Sequence, residues 1–359
     1  MSRGTRSARG RDLPAAGTGS SGPFPACARK GAPRHGRAAD TSVTRHGAAR
    51  RCAGRGDGQP YRVSVVVIGQ AGRDLVLRTA GLPASGGSVE VEERRETLGG
   101  KGANQAVGLS QLGVPVALVG VVGEDPEGEQ VLARAERDGI DTSAVVRRGR
   151  TALLVDVVDA PGSRRLLEEV PAESLLTPAD LQRADTLLAR ADTVSVQLQQ
   201  PADAVMAAAR AARRYGARVV ADGAPDHAVR DELPAVVDVL RADGEEAELI
   251  VGRPVTTVDE AVAAGRRLLS SGPGLVALAV PGAGDVLVWP GGDHVLPLSD
   301  VEVADPTGAG DAFVAGLIAG LRSGADPVAA GRLAAAAASS TVQRLGGRPD
   351  LRGLSVPQA

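Results

Sequence analysis

The segment Val301-Glu-Val-Ala-Asp305-Pro-Thr-Gly-Ala-Gly-Asp311-Ala-Phe-Val-Ala-Gly316 reads as a short strand (Val301, Val303), a glycine loop and an apolar helix. That order puts a loop at the carboxyl end of a strand, where open α/β sheets bind ligands. Gly308 and Gly310 let the backbone approach a ligand with no Cβ in the way. The first free amides of the helix point at one spot, where the helix dipole adds roughly half a positive charge. The segment therefore predicts an anion site built from backbone, with Asp311 beside it.

The surrounding chain has the same strand–helix rhythm. Ser64 to Ile68 is a continuous β-branched run, the pattern of a strand buried on both faces. Further strands are predicted at Val116 to Val121, Thr193 to Gln197, Ala217 to Ala221, Val236 to Leu240 and Leu275 to Val280. Helices are predicted at Asp125 to Gly139, Pro201 to Tyr215, Ala309 to Leu321 and Pro327 to Arg344. Such alternation implies an α/β fold: a doubly wound, mostly parallel sheet with helices on both faces. Ser88 to Thr97 alternates polar and apolar residues, as a half-exposed strand does. Thr151 to Val158 and Arg164 to Leu167, joined by a turn at Pro161-Gly162, read as a hairpin. Both read as a small β lid.

Composition narrows the function. Apolar residues make up 43% of the 359, enough for a large core, but aromatics only 1%. Few aromatics argue against a surface that stacks nucleic-acid bases. No apolar run reaches membrane-span length, and the arginine-rich start has no apolar segment of a secretory signal. The two cysteines, Cys27 and Cys52, make neither a disulfide framework nor a zinc site. A cytoplasmic protein is expected. Twelve positive and three negative side chains give residues 1–60 a charge of +9, so the remainder carries −11. The tail has no hydrophobic periodicity and is expected to be disordered; a nucleic-acid arm is its functional alternative.

A second segment carries chemistry: Leu98-Gly-Gly-Lys-Gly-Ala-Asn-Gln-Ala-Val-Gly-Leu-Ser-Gln-Leu-Gly113. Lys101 and Asn104, three apart, share one face of a helix's first turn. They are either a solvated helix start or a polyol site, with Asn104 offering donors and an acceptor. Asp311 is equally two-sided. A carboxylate at a helix start gains about 0.3–1 kcal/mol. It can also take a hydroxyl proton while the amides hold a transferring phosphoryl group. There is no Walker A sequence and no Gly-x-Gly-x-x-Gly after the first strand.

Both segments resemble the signatures of the PfkB-type carbohydrate kinases, the ribokinase family: Gly99 to Ala106 at the N-terminal one, Asp305 to Gly316 at the C-terminal one. The resemblance implies a ribokinase-like domain over 61–352, lid strands roughly within 83–100 and 150–170, and a C-terminal tail at 353–359. It implies ATP-dependent phosphorylation of a sugar, ribose to ribose 5-phosphate, with Asp311 as base and Gly308, Ala309 and Gly310 as anion-hole amides. Sugar contacts are implied for Gly100, Lys101, Asn104, Gln199 and Asp74, the last in Gly69-Gln-Ala-Gly-Arg-Asp74 at the end of the first strand. Asp243 and Glu246 stand at the family's Asn-x-x-Glu motif, with Glu246 reaching Mg²⁺ through water, and Gly282 and Gly284 fall near the nucleotide. Asp305 and Thr307 match a monovalent-cation site, for K⁺. A homodimer through the lid is implied as well. Three positions depart from the ribokinase pattern: Gly72 for asparagine, Gln199 for glutamate and Asp243 for asparagine. The threonine of the nucleotide turn is missing from Ala279-Val-Pro-Gly-Ala-Gly284, and Ala335 stands near an adenine-side polar position. Another sugar or a nucleoside, or a binding protein with little turnover, are the alternatives.

Overall fold

The β-branched run after Ser64 forms a strand with all of its residues buried, β1 (Val65–Ile68). The computed structural model describes residues 64–159 and 163–358; residues 1–60 and the turn at Pro161-Gly162 lie outside them. After β1 come β2 (Gly72–Thr79), β3 (Val91–Gly99), α1 (Lys101–Gln111), β4 (Val116–Val119), β5 (Val121–Val122), α2 (Pro126–Arg137) and β6 (Val146–Arg147). Then follow β7 (Ala152–Asp159), β8 (Arg164–Glu169), α3 (Pro178–Arg183), α4 (Asp185–Leu188), β9 (Thr193–Gln197), α5 (Ala202–Arg214) and β10 (Arg218–Asp222). The chain continues through β11 (Val239–Ala242), α6 (Gly244–Val251), α7 (Val258–Leu269), β12 (Leu275–Val280), β13 (Gly284–Trp289), β14 (Gly292–Pro297), α8 (Ala309–Arg322) and α9 (Pro327–Val342).

The main sheet has the order β14-β13-β12-β11-β10-β9-β1-β4. Strands β4 to β12 run parallel, with β1 pairing Val65 to Val116 on one side and to Thr193 on the other. β13 and β14 add an antiparallel edge. Helices α3, α5 and α7 bury their apolar faces on one side of this sheet, around Val66, Val196 and Leu278. Helices α1, α8 and α9 cover the other, around Val67, Val220 and Phe313. Parallel strands buried on both faces explain the continuous apolar runs.

The alanine-rich last helices pack closely. A Cβ on Gly316 would lie 2.7 Å from the Ala334 Cα, and one on Gly320 would lie 2.7 Å from the Ala330 Cα. On the other flank of α8, a Cβ on Gly108 would meet the Ala315 Cβ at 2.8 Å. Small residues thus set α1 and α9 tight against α8.

The lid is a separate sheet of order β3-β2-β7-β8. On β2 burial alternates, with Asp74 and Val76 inside, while every residue of β8 is exposed. Asp125, the cap of α2, accepts from the Thr151 amide at 2.8 Å and so ties the lid's entry to the body.

Five expectations need correction. β2 is a lid strand missing from the predicted lid, and Asp74 stands on it rather than at the end of β1. The half-exposed strand begins at Val91, not Ser88. Val301 to Val303 forms no strand and belongs to no sheet; the Val301 amide donates to the Ser299 carbonyl at 3.0 Å instead. Val236 ends a short 3-10 turn opened by Leu233-Pro234, so the next strand starts only at Val239. The stretch after residue 352 is not a free tail, since Leu354 and Val356 pack on the α8 core. The β13–β14 hairpin had no counterpart in the sequence reading.

Candidate active site

Two helices start on a glycine in the left-handed region: α1 after Gly100 (φ 86) and α8 after Gly308 (φ 73). Neither start has a side-chain cap. In their first turns the Ala103 amide donates to the Gln70 carbonyl at 3.1 Å and the Ala309 amide to that of Pro306 at 3.4 Å, while the amides of Lys101, Gly102, Gly310 and Asp311 have no backbone partner among the described residues. At Gly308 no other residue fits, because a Cβ would lie 2.0 Å from the Gly347 carbonyl oxygen.

Close packing of α1 on α8 joins the two signature segments. Asn104 Nδ2 donates to Asp311 Oδ2 at 3.2 Å, across 207 positions of chain. Gln105 Nε2 donates to Asp311 Oδ1 at 3.4 Å and to Asp222 Oδ2 at 2.9 Å. Ser195 Oγ fixes that glutamine by donating to its Oε1 at 2.8 Å. Asp311, only 6% exposed, is thereby held in one orientation in the first turn of α8. Burial, then the Asp222 carboxylate, push its pKa up to about 7, against the pull of Lys101, Asn104 and Gln105. It is a carboxylate poised to exchange a proton near neutral pH.

Asp74 reaches the same cleft from the lid. It is 4% exposed, and a Cβ on Gly99 would overlap its carboxyl, at 1.8 Å from Cγ. Burial, Asp156 and Asp311 push its pKa up to about 7 as well. Two oxygens facing this region, Asp74 Oδ1 and Asn104 Oδ1, are buried without a hydrogen-bond partner among the described residues. Buried acceptors of that kind call for hydroxyl or amine donors. A polyol supplies them.

The other end of the cleft is a charged cluster. Lys101 Nζ lies 2.7 Å from Glu246 Oε1, so its ammonium points at Glu246. Burial opposes its charge, yet Asp222, Glu246 and Asp311 outweigh burial and hold its pKa up. Glu246 and Asp243 form a capping box at α6: Glu246 N donates to Asp243 Oδ1 and Asp243 N to Glu246 Oε2, each at 2.9 Å. Aspartate and asparagine cap helices equally well, which accounts for Asp243 structurally. Arg241, at the end of β11, lies 3.2 Å from Asp222 and 3.8 Å from Glu246.

A backbone anion site, a fixed carboxyl and a basic–acidic cluster at the carboxyl ends of parallel strands can carry phosphoryl transfer to a hydroxyl. The model of the pfkB family of carbohydrate kinases matches residues 62–352. The chain belongs to that family. It is an ATP-dependent sugar kinase of the ribokinase type. It is 27% identical to the ribokinase of Haemophilus influenzae, over 81% of this chain and 95% of that one. It is 32% identical to the ATP-dependent ribose-1-phosphate kinase of Halopiger xanaduensis, over 80% of this chain and 94% of the relative. The solved structure of Arabidopsis thaliana ribokinase complexed with ribose and ATP superimposes with a TM-score of 0.66 at 25% identity, covering 79% of this chain and 94% of that one.

In this sugar kinase the remaining expected residues divide. Asp305, fully buried, accepts from the Thr307 amide at 2.9 Å and hydroxyl at 2.6 Å, and from the Gly346 amide at 2.8 Å. It therefore staples the glycine loop from below. Gln199 sits at the rim, donating to Glu246 Oε1 at 3.3 Å and accepting from Gln197 at 2.6 Å. Gly282 and Gly284 shape the β12–β13 turn. Gly284 (φ 113) is required there because a Cβ would meet the Leu296 carbonyl oxygen at 2.1 Å. Neither glycine is brought into the hydrogen-bonded cluster around Asp311.

Four polar residues of the kinase's cluster escaped selection: Gln105, Ser195, Asp222 and Arg241. A signal for the last two was present. Arg218-Val-Val-Ala-Asp222 and Val239-Leu-Arg-Ala242 each place a charge at the carboxyl end of an apolar strand. A buried charge needs partners. Among the described residues no cluster of three or more His, Cys, Asp or Glu side chains is placed to cage a metal, and none of the helices is long and apolar enough to span a membrane.

Proposed function

We propose that the chain phosphorylates a hydroxyl of a neutral sugar, ribose to ribose 5-phosphate, using ATP. The observation that carries this is Asp311 locked by Asn104 and Gln105 at the open end of α8. Asp74, Asn104 and the Gly100 amide hold sugar hydroxyls, which match the unpartnered Asp74 Oδ1 and Asn104 Oδ1. Asp311 takes the proton of the attacking hydroxyl. The amides of Gly308, Ala309 and Gly310 receive the charge of the transferring group. Lys101 spans the two ends, Gln199 borders the sugar, and the turn at Gly282 and Gly284 flanks the nucleotide.

In this reading Mg²⁺ would be reached through water from Glu246, whose Oε1 faces Lys101 and whose Oε2 accepts from the Asp243 amide, because Mg²⁺ keeps several waters and prefers carboxylate and phosphate oxygens. Held from Glu246 through water, it would supply positive charge to the nucleotide's phosphates. K⁺ beside Asp305 and Thr307 belongs to the same reading, as does a cytoplasmic enzyme. Exposed Val91, Leu166 and Leu167 on the lid support a homodimer through that sheet.

A neutral sugar is favoured over a sugar phosphate. The lid presents buried carboxyls, Asp74 and Asp156, and the arginine beside them, the exposed Arg164 of β8, is already paired with Asp156. Lys101 is held by Glu246. ADP release measured over ribose, deoxyribose, ribose 1-phosphate, hexoses and nucleosides is the test. Ribose is expected to give the highest kcat/KM. Turnover with ribose 1-phosphate alone would overturn the substrate, and sugar binding without ADP release would make the protein a sugar-binding one.

A further inference from the structure

Arg241 is a cation where the fold gives it little water. It is 7% exposed, in a strand whose other residues are buried too. Its Nη1 lies 3.2 Å from Asp222 Oδ1, and its guanidinium stands 6.0 Å from the Phe313 ring centre. Its Nε is buried and has no partner among the described residues. Guanidinium offers five donors, and one with an idle buried donor is under-used.

The glycine loop lies against this group. A Cβ on Gly310 would stand 2.6 Å from Arg241 Nη1 and 2.9 Å from Nη2. Gly310 is bare because the guanidinium occupies that place. Arg241 and the open amides of α8 therefore share one corner of the cleft.

Counter-charge to Asp222 at 3.2 Å and to Glu246 at 3.8 Å leaves the idle Nε and the place beside Gly310 unexplained. Gln105 already donates to Asp222 Oδ2 at 2.9 Å, and Lys101 also acts on that carboxyl. Arg241 meets it through a single nitrogen at 3.2 Å, not through the paired geometry arginine favours with carboxylates. The planar fork suits phosphate oxygens. Two residues further on, Asp243 adds a negative charge where the ribokinase pattern has asparagine, and Arg241 offsets it.

We propose that Arg241 is a catalytic residue that donates to the terminal phosphoryl group of ATP and stabilises it during transfer. This rests on reading Asp311 and the glycine loop as the transfer site. The sugar oxygen forms its bond to the γ-phosphorus and gives its proton to Asp311. The bond from that phosphorus to the bridging oxygen breaks, and its electron pair leaves on ADP. Arg241 keeps all its protons and balances charge on the transferring oxygens.

The test compares ATP and ADP affinity by calorimetry, with Mg²⁺, in the wild-type chain, Arg241→Met, Arg241→Lys and the double variant Asp222→Asn/Arg241→Met. The double variant removes the carboxyl that Arg241→Met alone leaves buried and unpaired, so it separates lost folding from lost function. In both methionine variants the preference for ATP over ADP is expected to fall by about tenfold to a hundredfold, the scale of a hydrogen bond to a charged group. Their kcat is expected to fall about a hundredfold or more, with sugar KM within about threefold. Arg241→Lys should recover part of both. An unchanged ATP-to-ADP ratio in the double variant overturns the proposal and leaves Arg241 a counter-ion. A wild-type chain that releases no ADP with any sugar overturns the functional reading instead, while the affinity ratio still decides Arg241.

Discussion

The starts of α1 and α8 use one backbone device for opposite ends. Each follows a glycine of positive φ, each lacks a side-chain cap, and each leaves some amides of its first turn without a backbone partner among the described residues. By contrast α2, α3, α6, α7 and α9 are capped by Asp125, Thr177, Asp243, Thr257 and Asp326. The difference between the two open starts is charge. α1 begins with Lys101, which turns to Glu246, while α8 carries Asp311, turned to Asn104. α4 and α5 also start without a side-chain cap, but only α1 and α8 start after a glycine of positive φ, and in the proposed reading one supplies a cation and the other a base.

Breaking the loop at α8 should have the larger effect. Gly308→Ala forces a Cβ toward the Gly347 carbonyl and a residue into positive φ. Displacing the amides is expected to lower kcat by about 10²–10³-fold, on the scale of losing one anion-hole donor. Steady-state kinetics with ribose and ATP checks this, with circular dichroism showing that the fold remains.

Asn104→Ala removes a donor to Asp311 and the unpartnered acceptor proposed for the sugar, so it touches both starts. A loss of about 10–100-fold in kcat/KM is expected, matching a hydrogen bond to a charged group. An equal loss in Gln105→Ala would mean that orienting Asp311, not contacting sugar, is what Asn104 does.

The pH profile sharpens the comparison with two opposite signs. Asp311 must be ionised to accept a proton, and its pKa lies at about 7. kcat/KM should therefore fall about tenfold per unit as pH drops below that value. Stability runs the other way. The raised carboxyls of Asp311 and Asp74 favour the folded state below the unfolded value of 3.8, and that contribution is lost as pH rises through about 7. Thermal unfolding across pH 5 to 8 measures this arm.

Asp243→Asn should change least. The cap on α6 survives, and stability should move by no more than about 0.5 kcal/mol. A several-fold gain in ATP affinity would show that the extra charge works against the nucleotide.

Most of the fold could be read from the chain because parallel strands announce themselves. Val65 to Ile68 and Leu275 to Val280 are apolar throughout, and their turns carry glycine or proline. β2 was unreadable for the opposite reason. Gly72-Arg-Asp-Leu-Val-Leu-Arg-Thr79 follows β1 with only a three-residue turn and mixes charges, since its buried face meets a polar cleft. Within the site, Asp311, Gly308 and Asn104 lie in local motifs and were legible. Gln105 sits in the same motif as Asn104, and Asp222 and Arg241 are marked only as charges at the ends of apolar strands; their partners, 19 to 206 positions away, are not displayed by a local pattern.

Asp311→Asn is the most direct measurement of all. It keeps the shape and removes the base, at the loss of one of the two bonds donated by Asn104 and Gln105. With sugar affinity measured by calorimetry and turnover by ADP release, affinity should stay within about threefold while kcat falls by about 10²–10⁴-fold, the range for losing a general base. A variant that turns over at the wild-type rate would contradict the assignment of Asp311 as the base.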